Sequence, residues 1–187
     1  MTRTEEKKRN AIRKTVELCS RFGFHGTSMD RITAETGLSK ATIYKYFATK
    51  ENLIACALES YSDLAMENLD RLLSDESLTL HEKLTARFDA LRKGVDLGQF
   101  HGCYFQLAFS EYAQVNEKIS GVCTHYKSSV INRIEQLLKA NDIPEAGKKA
   151  IKAEMAFNGL LSTLHLSQEP VLIDMAETLY IDIITAQ

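Results

Sequence analysis

Proline occurs at only two of 187 positions, 144 and 170, and hydrophobic residues elsewhere return every three or four positions. A chain with that spacing folds as amphipathic helices, because a 3.6-residue turn brings positions i, i+3, i+4 and i+7 onto one face. Strict period-two alternation of β-branched residues, the mark of strands, is absent. The expected fold class is all-α, with both prolines at helix starts, where the missing N–H is harmless. Ile12, Val16, Cys19 and Phe22 predict a first helix over about 4–22, ended by Gly23. Thr27 or Ser28 caps a short second helix with Asp30 in its first turn, which ends at Gly37. Ser39 caps a third, from Lys40 to Phe47, and Thr36-Gly37-Leu38-Ser39 joins the two short helices at helix-turn-helix spacing. Thr49 opens a long fourth helix over 50–73, with Ile54, Leu58, Tyr61, Ala65, Leu69 and Leu72 along one stripe. Further helices are expected within 80–94, the aromatic segment 98–113, 117–140, 145–167 and 171–185.

Charge divides the chain in two. Residues 1–50 hold 11 Lys+Arg against 5 Asp+Glu, a net +6. Residues 51–187 hold 12 against 20, a net −8, and together they give the overall −2. A basic head on an acidic body is suited to a polyanion, and a solvated helix face with an excess of Lys and Arg would look the same by charge alone. Charges interrupt every apolar stretch, so no segment reaches the roughly 18 residues of a membrane span. The charged start, Met1 to Arg9, has no apolar core of a signal peptide. The four cysteines, at 19, 56, 103 and 123, are too scattered for a zinc site or a disulfide framework, and a cytoplasmic protein with free thiols is expected.

The run from Gly23 to Leu53 settles what the charge leaves open. Gly23, Thr27-Ser28, Ile32, Gly37-Leu38-Ser39, Ile43-Tyr44, Tyr46-Phe47 and Lys50-Glu51-Asn52-Leu53 stand in one register, and together they resemble the DNA-binding head of the TetR family of transcriptional regulators. The block is about a sixth of the chain. Thr33 and Thr36 depart from the alanines usual at those places. The resemblance implies a helix-turn-helix head over 1–48 and a ligand-binding and dimerisation body over 49–187, linked by helix 50–73. It implies double-stranded DNA with a palindromic operator as partner, and a third helix that enters the major groove by its N-terminal end. Lys40, Ala41, Tyr44 and Lys45 lie on or near that leading face. Lys40 suits guanine O6 or N7 and equally suits a phosphate, and Lys45 has the same two readings. Ala41 leaves room for close backbone approach. Ser28, Ser39, Thr42, Tyr44, Tyr46 and Lys50 have the chemistry of phosphate contacts, with capping as a second role for Ser39. Ile32, Leu38, Ile43 and Phe47 have the spacing of the head's core.

The same resemblance implies a homodimer that a small-molecule effector releases from DNA. Candidate lining residues are Phe100, Cys103, Tyr104, Phe109, Tyr126 and Phe157, although aromatic residues at helical spacing also make ordinary core. His101-Gly102-Cys103 stands at the start of the sixth helix, where the resemblance places a Gly-Cys pair. A thiol at a helix start is favoured as thiolate, so Cys103 is either a sensor of electrophiles or oxidants or a small buried hydrophobe. Cys19 and Cys56 lie on apolar faces and read as core, and His25 as a solvated or capping turn residue. Ala156, Gly159, Leu160 and Thr163, with Met175 and Leu179 on the last helix, are the candidate dimer interface. An enzyme using Cys103 and His101 is the competing class; residues two apart on a helix do not face each other, and no phosphate loop, metal motif or carboxylate pair supports it. The reading is therefore a non-enzymatic regulator with no metal and no cofactor.

Overall fold

The structure is a computed structural model that describes residues 2–186. Those residues form nine helices: α1 (Arg3–Phe22), α2 (Met29–Thr36), α3 (Lys40–Phe47), α4 (Lys50–Ser74), α5 (Leu80–Asp96), α6 (Tyr104–Tyr112), α7 (Glu117–Ala140), α8 (Ala146–Ser167) and α9 (Val171–Thr185). No strand forms among the described residues, in keeping with the all-α expectation. Short hydroxyl side chains fix many of the starts. Ser28 Oγ accepts from Arg31 N at 3.2 Å, Ser39 Oγ from Thr42 N at 3.1 Å and Thr49 Oγ1 from Asn52 N at 3.0 Å. Each removes one of the four unpaired donors at a helix N-terminus. Gly37 ends α2 in the left-handed region, φ 67°, where a side chain is disfavoured. Helix α6 begins at Tyr104. Gly98 and Gly102 take φ values of 63° and 91° and keep residues 98–103 out of a helix. A Cβ on Gly102 would sit 2.8 Å from His165 Nδ1, so the backbone there closes directly on that imidazole.

The chain forms two compact units, and the division between them falls inside α4 and α7. The first unit runs to Ala65 and includes Tyr104–Tyr126; the second is Met66–Cys103 with the residues from Lys127 onward. The physical reason is that α6 belongs to the head's own packing. Ala11, Leu18, Ile32, Ile43, Phe47 and Leu53 form the head's core, with Leu38 and Tyr46 partly buried against it. The Tyr104 hydroxyl of α6 donates to the Val16 carbonyl of α1 at 3.1 Å. Glu111, also on α6, accepts the backbone N–H of Phe24 at 3.0 Å and of His25 at 2.6 Å. The turn between α1 and α2 is thus held from α6. It is also tight: a Cβ at Gly26 would lie 2.1 Å from the Phe22 carbonyl oxygen.

Burial of acidic protons in this first unit gives it a signed pH dependence. Burial pushes the Cys19 thiol up from 9.0 to about 11, and the Tyr104 and Tyr112 hydroxyls up from 10.0 to about 12. The unfolded chain releases these protons first, so their stabilising contribution is complete below pH 9 and is lost as pH rises through 9 to 12. Thermal unfolding followed from pH 7 to 11 should show a falling Tm that sets in near pH 9, with a shallower fall in Cys19→Ala. A Tm that stays level to pH 11 would contradict the burial of these groups.

The second unit is built around α8. Leu84, Phe88, Ile134, Leu138, Phe157, Leu164 and Tyr180 are among its buried side chains, and Phe88 meets Phe157 edge-on at 5.1 Å and Tyr180 at 5.4 Å. At its centre Glu154 of α8 is 3% exposed. Both terminal guanidinium nitrogens of Arg87 pair with its carboxylate, and the Tyr180 hydroxyl donates to Oε1 at 3.1 Å. Lys149, 9% exposed, donates to the carbonyls of Ile184 at 2.9 Å and Ala186 at 2.6 Å, which closes the end of α9. Among the described residues no helix is long and apolar enough to cross a membrane.

Candidate nucleic-acid interface

Helix α3 has two faces with opposite chemistry. Ile43 and Phe47 are buried in the head's core, while Lys40, Ala41, Tyr44 and Lys45 are exposed. Eight residues are little more than two turns, so the core side alone fixes which residues look outward. The caps cluster at one end of this face. Ser28 and Ser39 are exposed at the starts of α2 and α3, and Ser39 Oγ also lies 2.9 Å from Thr42 Oγ1. The N-termini of both helices therefore present donors and positive dipole ends, the arrangement that holds phosphate oxygens.

The cations on this face are not all free to reach outward. Lys40 Nζ lies 2.7 Å from Asp30 Oδ1, a pair between the first turns of α3 and α2. The carboxylate accepts a hydrogen bond from the Lys40 ammonium and holds its pKa above the ordinary lysine value. Lys50, expected as a phosphate contact, is half-buried and donates to the Phe24 carbonyl at 2.8 Å. In this geometry its first task is to hold the turn at residues 23–26, together with the N–H bonds that Glu111 accepts. Tyr46 is half-buried, edge-on to Phe47 with ring centres 6.3 Å apart, and Lys8 of α1 stands 5.5 Å from its ring. Two residues that sequence reasoning missed are Asp30 as the partner of Lys40 and Glu111 as the anchor of the turn. Glu111 is more than eighty positions from its partners, so no local pattern announces it. His25 is likewise more than a solvated turn residue: its Nδ1 is 2.7 Å from Glu111 Oε2 and its ring stacks on Tyr112.

The residues put forward for an effector divide between the units. In the first, Tyr104 lies 4.7 Å ring to ring from Tyr61, which also neighbours Phe105, and Phe105 stacks on Tyr126 at 3.8 Å. Phe109 is 41% exposed. In the second, Phe157 is enclosed by Phe88 and Tyr180 with the Arg87 guanidinium 3.9 Å from its ring, so it is a core residue of that unit. Phe100 is partly buried against the same core, and Cys103 is a half-buried free thiol. Cys19 is a buried free thiol, as its apolar face implied. An open cleft of about 480 Å³ in the second unit is lined by Pro144, Lys148, Lys152, Asp182 and their neighbours, and contains none of the expected aromatic residues.

Of the expected dimer residues, Gly159, Thr163, Met175 and Leu179 are exposed and Ala156 is half-buried. Leu160 differs from these. It is 5% exposed and packs inward with Phe157 and Leu164, because positions 157, 160 and 164 form the core stripe of α8. The outward face carries Ile151, Met155 and Leu166 on α8 and Val171 on α9 in addition, each at least 49% exposed.

Comparison with known proteins agrees with this geometry. The family model described as bacterial regulatory proteins, tetR family, matches residues 11–56. The HTH-type transcriptional regulator YjdC of Escherichia coli K12 is 22% identical over 175 residues, which cover 94% of this chain and 92% of that protein. The HTH-type transcriptional regulator RutR of the same strain is 32% identical over 69 residues, 37% of this chain and 32% of RutR. In three dimensions a TetR transcriptional regulator from Legionella pneumophila aligns over 99% of both chains with a TM-score of 0.86 and 17% identity. The reduced form of E. coli NemR aligns over 97% of this chain and 98% of that one, with a TM-score of 0.84 and 17% identity.

Proposed function

We propose that this chain, which belongs to the TetR family of DNA-binding transcriptional regulators, acts as a cytoplasmic homodimeric repressor that reads a palindromic operator through α3 and is released by a small molecule taken up in its helical body. Membership of that family makes it a regulator and not an enzyme. The observation that carries the finer reading is the outward apolar face of α8 and α9. Ile151 and Met155 on α8, and Val171, Met175 and Leu179 on α9, recur at steps of four, so each set lies on one side of its helix. Contiguous apolar surface of that kind marks an interaction site. A second copy meeting it in two-fold symmetry would make a four-helix contact and present two heads. Two heads convert the second binding event into an intramolecular one, and a two-fold dimer calls for a two-fold operator. Effector and DNA then weaken each other by the same factor.

Met155→Glu combined with Met175→Glu tests this directly. In sedimentation the wild type is expected as a dimer and the variant as a monomer with an unchanged circular-dichroism spectrum. Operator affinity should fall with it, since only one head is left to bind. A variant that remains dimeric would overturn the interface. A redox trigger is the alternative to a non-covalent effector, since one similar structure is of a reduced form and Cys103 is half-buried at the start of α6. Release of DNA by a thiol-reactive electrophile, lost in Cys103→Ser, would move the trigger to that thiol; release unchanged by Cys103→Ser would remove it from the account.

A further inference from the structure

We propose that Asp30 is a specificity-determining residue of the DNA-reading face, which holds the Lys40 ammonium for a base edge and keeps it off the phosphates. This rests on the reading that α3 enters the major groove. Asp30 is the second residue of α2 and Lys40 the first of α3, and their side chains meet at 2.7 Å with 80% and 52% of their surface exposed. The cap of α2 is Ser28, so the Asp30 carboxylate is not needed to satisfy that helix end.

A carboxylate on a surface that must meet a polyanion is a cost on every sequence alike. It needs a compensating gain, and the pair supplies one. Lys40 carries three ammonium protons; one directed at Asp30 leaves two for guanine O6 and N7, the acceptors of the major-groove edge. An untethered lysine is a flexible point charge drawn to the nearest phosphate, where it raises affinity for all sequences and discriminates among none. Tethered, it has a fixed place, and the pair's field falls off faster than that of a lone charge. Non-specific binding drops more than specific binding, so the ratio between them rises. The two readings of Lys40 left open by its sequence position, base or phosphate, are decided by its neighbour.

The test uses the full-length chain as wild type, Asp30→Asn and Lys40→Met. Each is subjected to selection from random duplex DNA and to salt titrations on the wild-type motif and on a mixed-sequence duplex. Asp30→Asn should bind the mixed-sequence duplex more tightly, and its specificity ratio should fall roughly tenfold or more, the scale of a lost base contact in each half-site. Its selected motif should lose preference at the same base pair at which Lys40→Met ceases to discriminate. Both residues are exposed, so thermal melts should match the wild type. An unchanged ratio and motif in Asp30→Asn overturns the proposal, as does a Lys40→Met variant that weakens all sequences equally and keeps the motif. If the wild type selects a motif and either of these results follows, this inference alone falls. If the wild type selects none, the groove reading falls with it.

Discussion

Glu154→Ala should destabilise the second unit by about 3–5 kcal/mol, the usual loss when one partner of a buried ion pair is removed. Glu154 is 3% exposed and receives bonds from Arg87 on α5 and Tyr180 on α9. Its loss removes a carboxylate shared by a guanidinium whose side chain is only 20% exposed and a hydroxyl that is 1% exposed. Both lie in an apolar setting of Phe88 and Phe157, where losing a charged hydrogen-bond acceptor is costly. Against a typical total of about 5–15 kcal/mol, this is a large share. Urea unfolding at fixed protein concentration measures it, since a dimer's stability depends on concentration. The network ties three helices together and is not required to make the core dense. Exchanging Arg87 and Glu154 together for apolar residues of similar volume should therefore recover most of the loss. A loss below about 1 kcal/mol for Glu154→Ala would mean the carboxylate is solvated and the burial misjudged.

Tyr44→Ala with Lys45→Ala should abolish sequence-specific DNA binding without touching fold or assembly. Both side chains are exposed on α3, opposite Ile43 and Phe47, so neither supports the head's core. In a dimer each is lost twice. Four contacts at about 1 kcal/mol apiece amount to about a thousandfold in affinity. The salt dependence separates their parts: a phosphate-bound lysine lost from each head should flatten the log–log slope by about two. Electrophoretic or fluorescence titration of the variant against the selected operator, with sedimentation as the control for assembly, reads both quantities. Retained affinity would place the recognition surface elsewhere on the head. Lys50 is a poor choice for this purpose, since its bond to Phe24 makes it part of the turn that orients α2.

What was legible in the sequence is what local chemistry decides. The bounds of α3 and α7 follow from caps and the apolar stripe, and so do the buried Ile32, Ile43 and Phe47. Where the chain meets itself over long separations, spacing carries no signal. Glu111 reaches the turn at Phe24 and His25, and this contact joins α6 to the first unit. Residues 98–103 open the aromatic segment, and two glycines at positive φ with the close approach of His165 make them an irregular strap. A stripe of small residues at steps of three and four can be drawn on either side of α8, so spacing alone does not say which way Leu160 faces. The Phe157, Leu160, Leu164 series shows which side is core. The candidate site was thus visible as a set of residue types on α3, and invisible in the pairing of Lys40 with Asp30, which depends on how α2 and α3 cross.

In the proposed dimer two copies of α3 read DNA in register with the helical repeat. Selection from random duplexes by the wild-type protein, followed by the stoichiometry of the selected complex, measures this most directly. The account predicts an inverted repeat whose half-site centres lie one helical turn, about 34 Å, or a multiple of it apart, bound by an even number of chains and lost in Met155→Glu/Met175→Glu. An asymmetric motif bound by a single chain, or no motif at all, would contradict it.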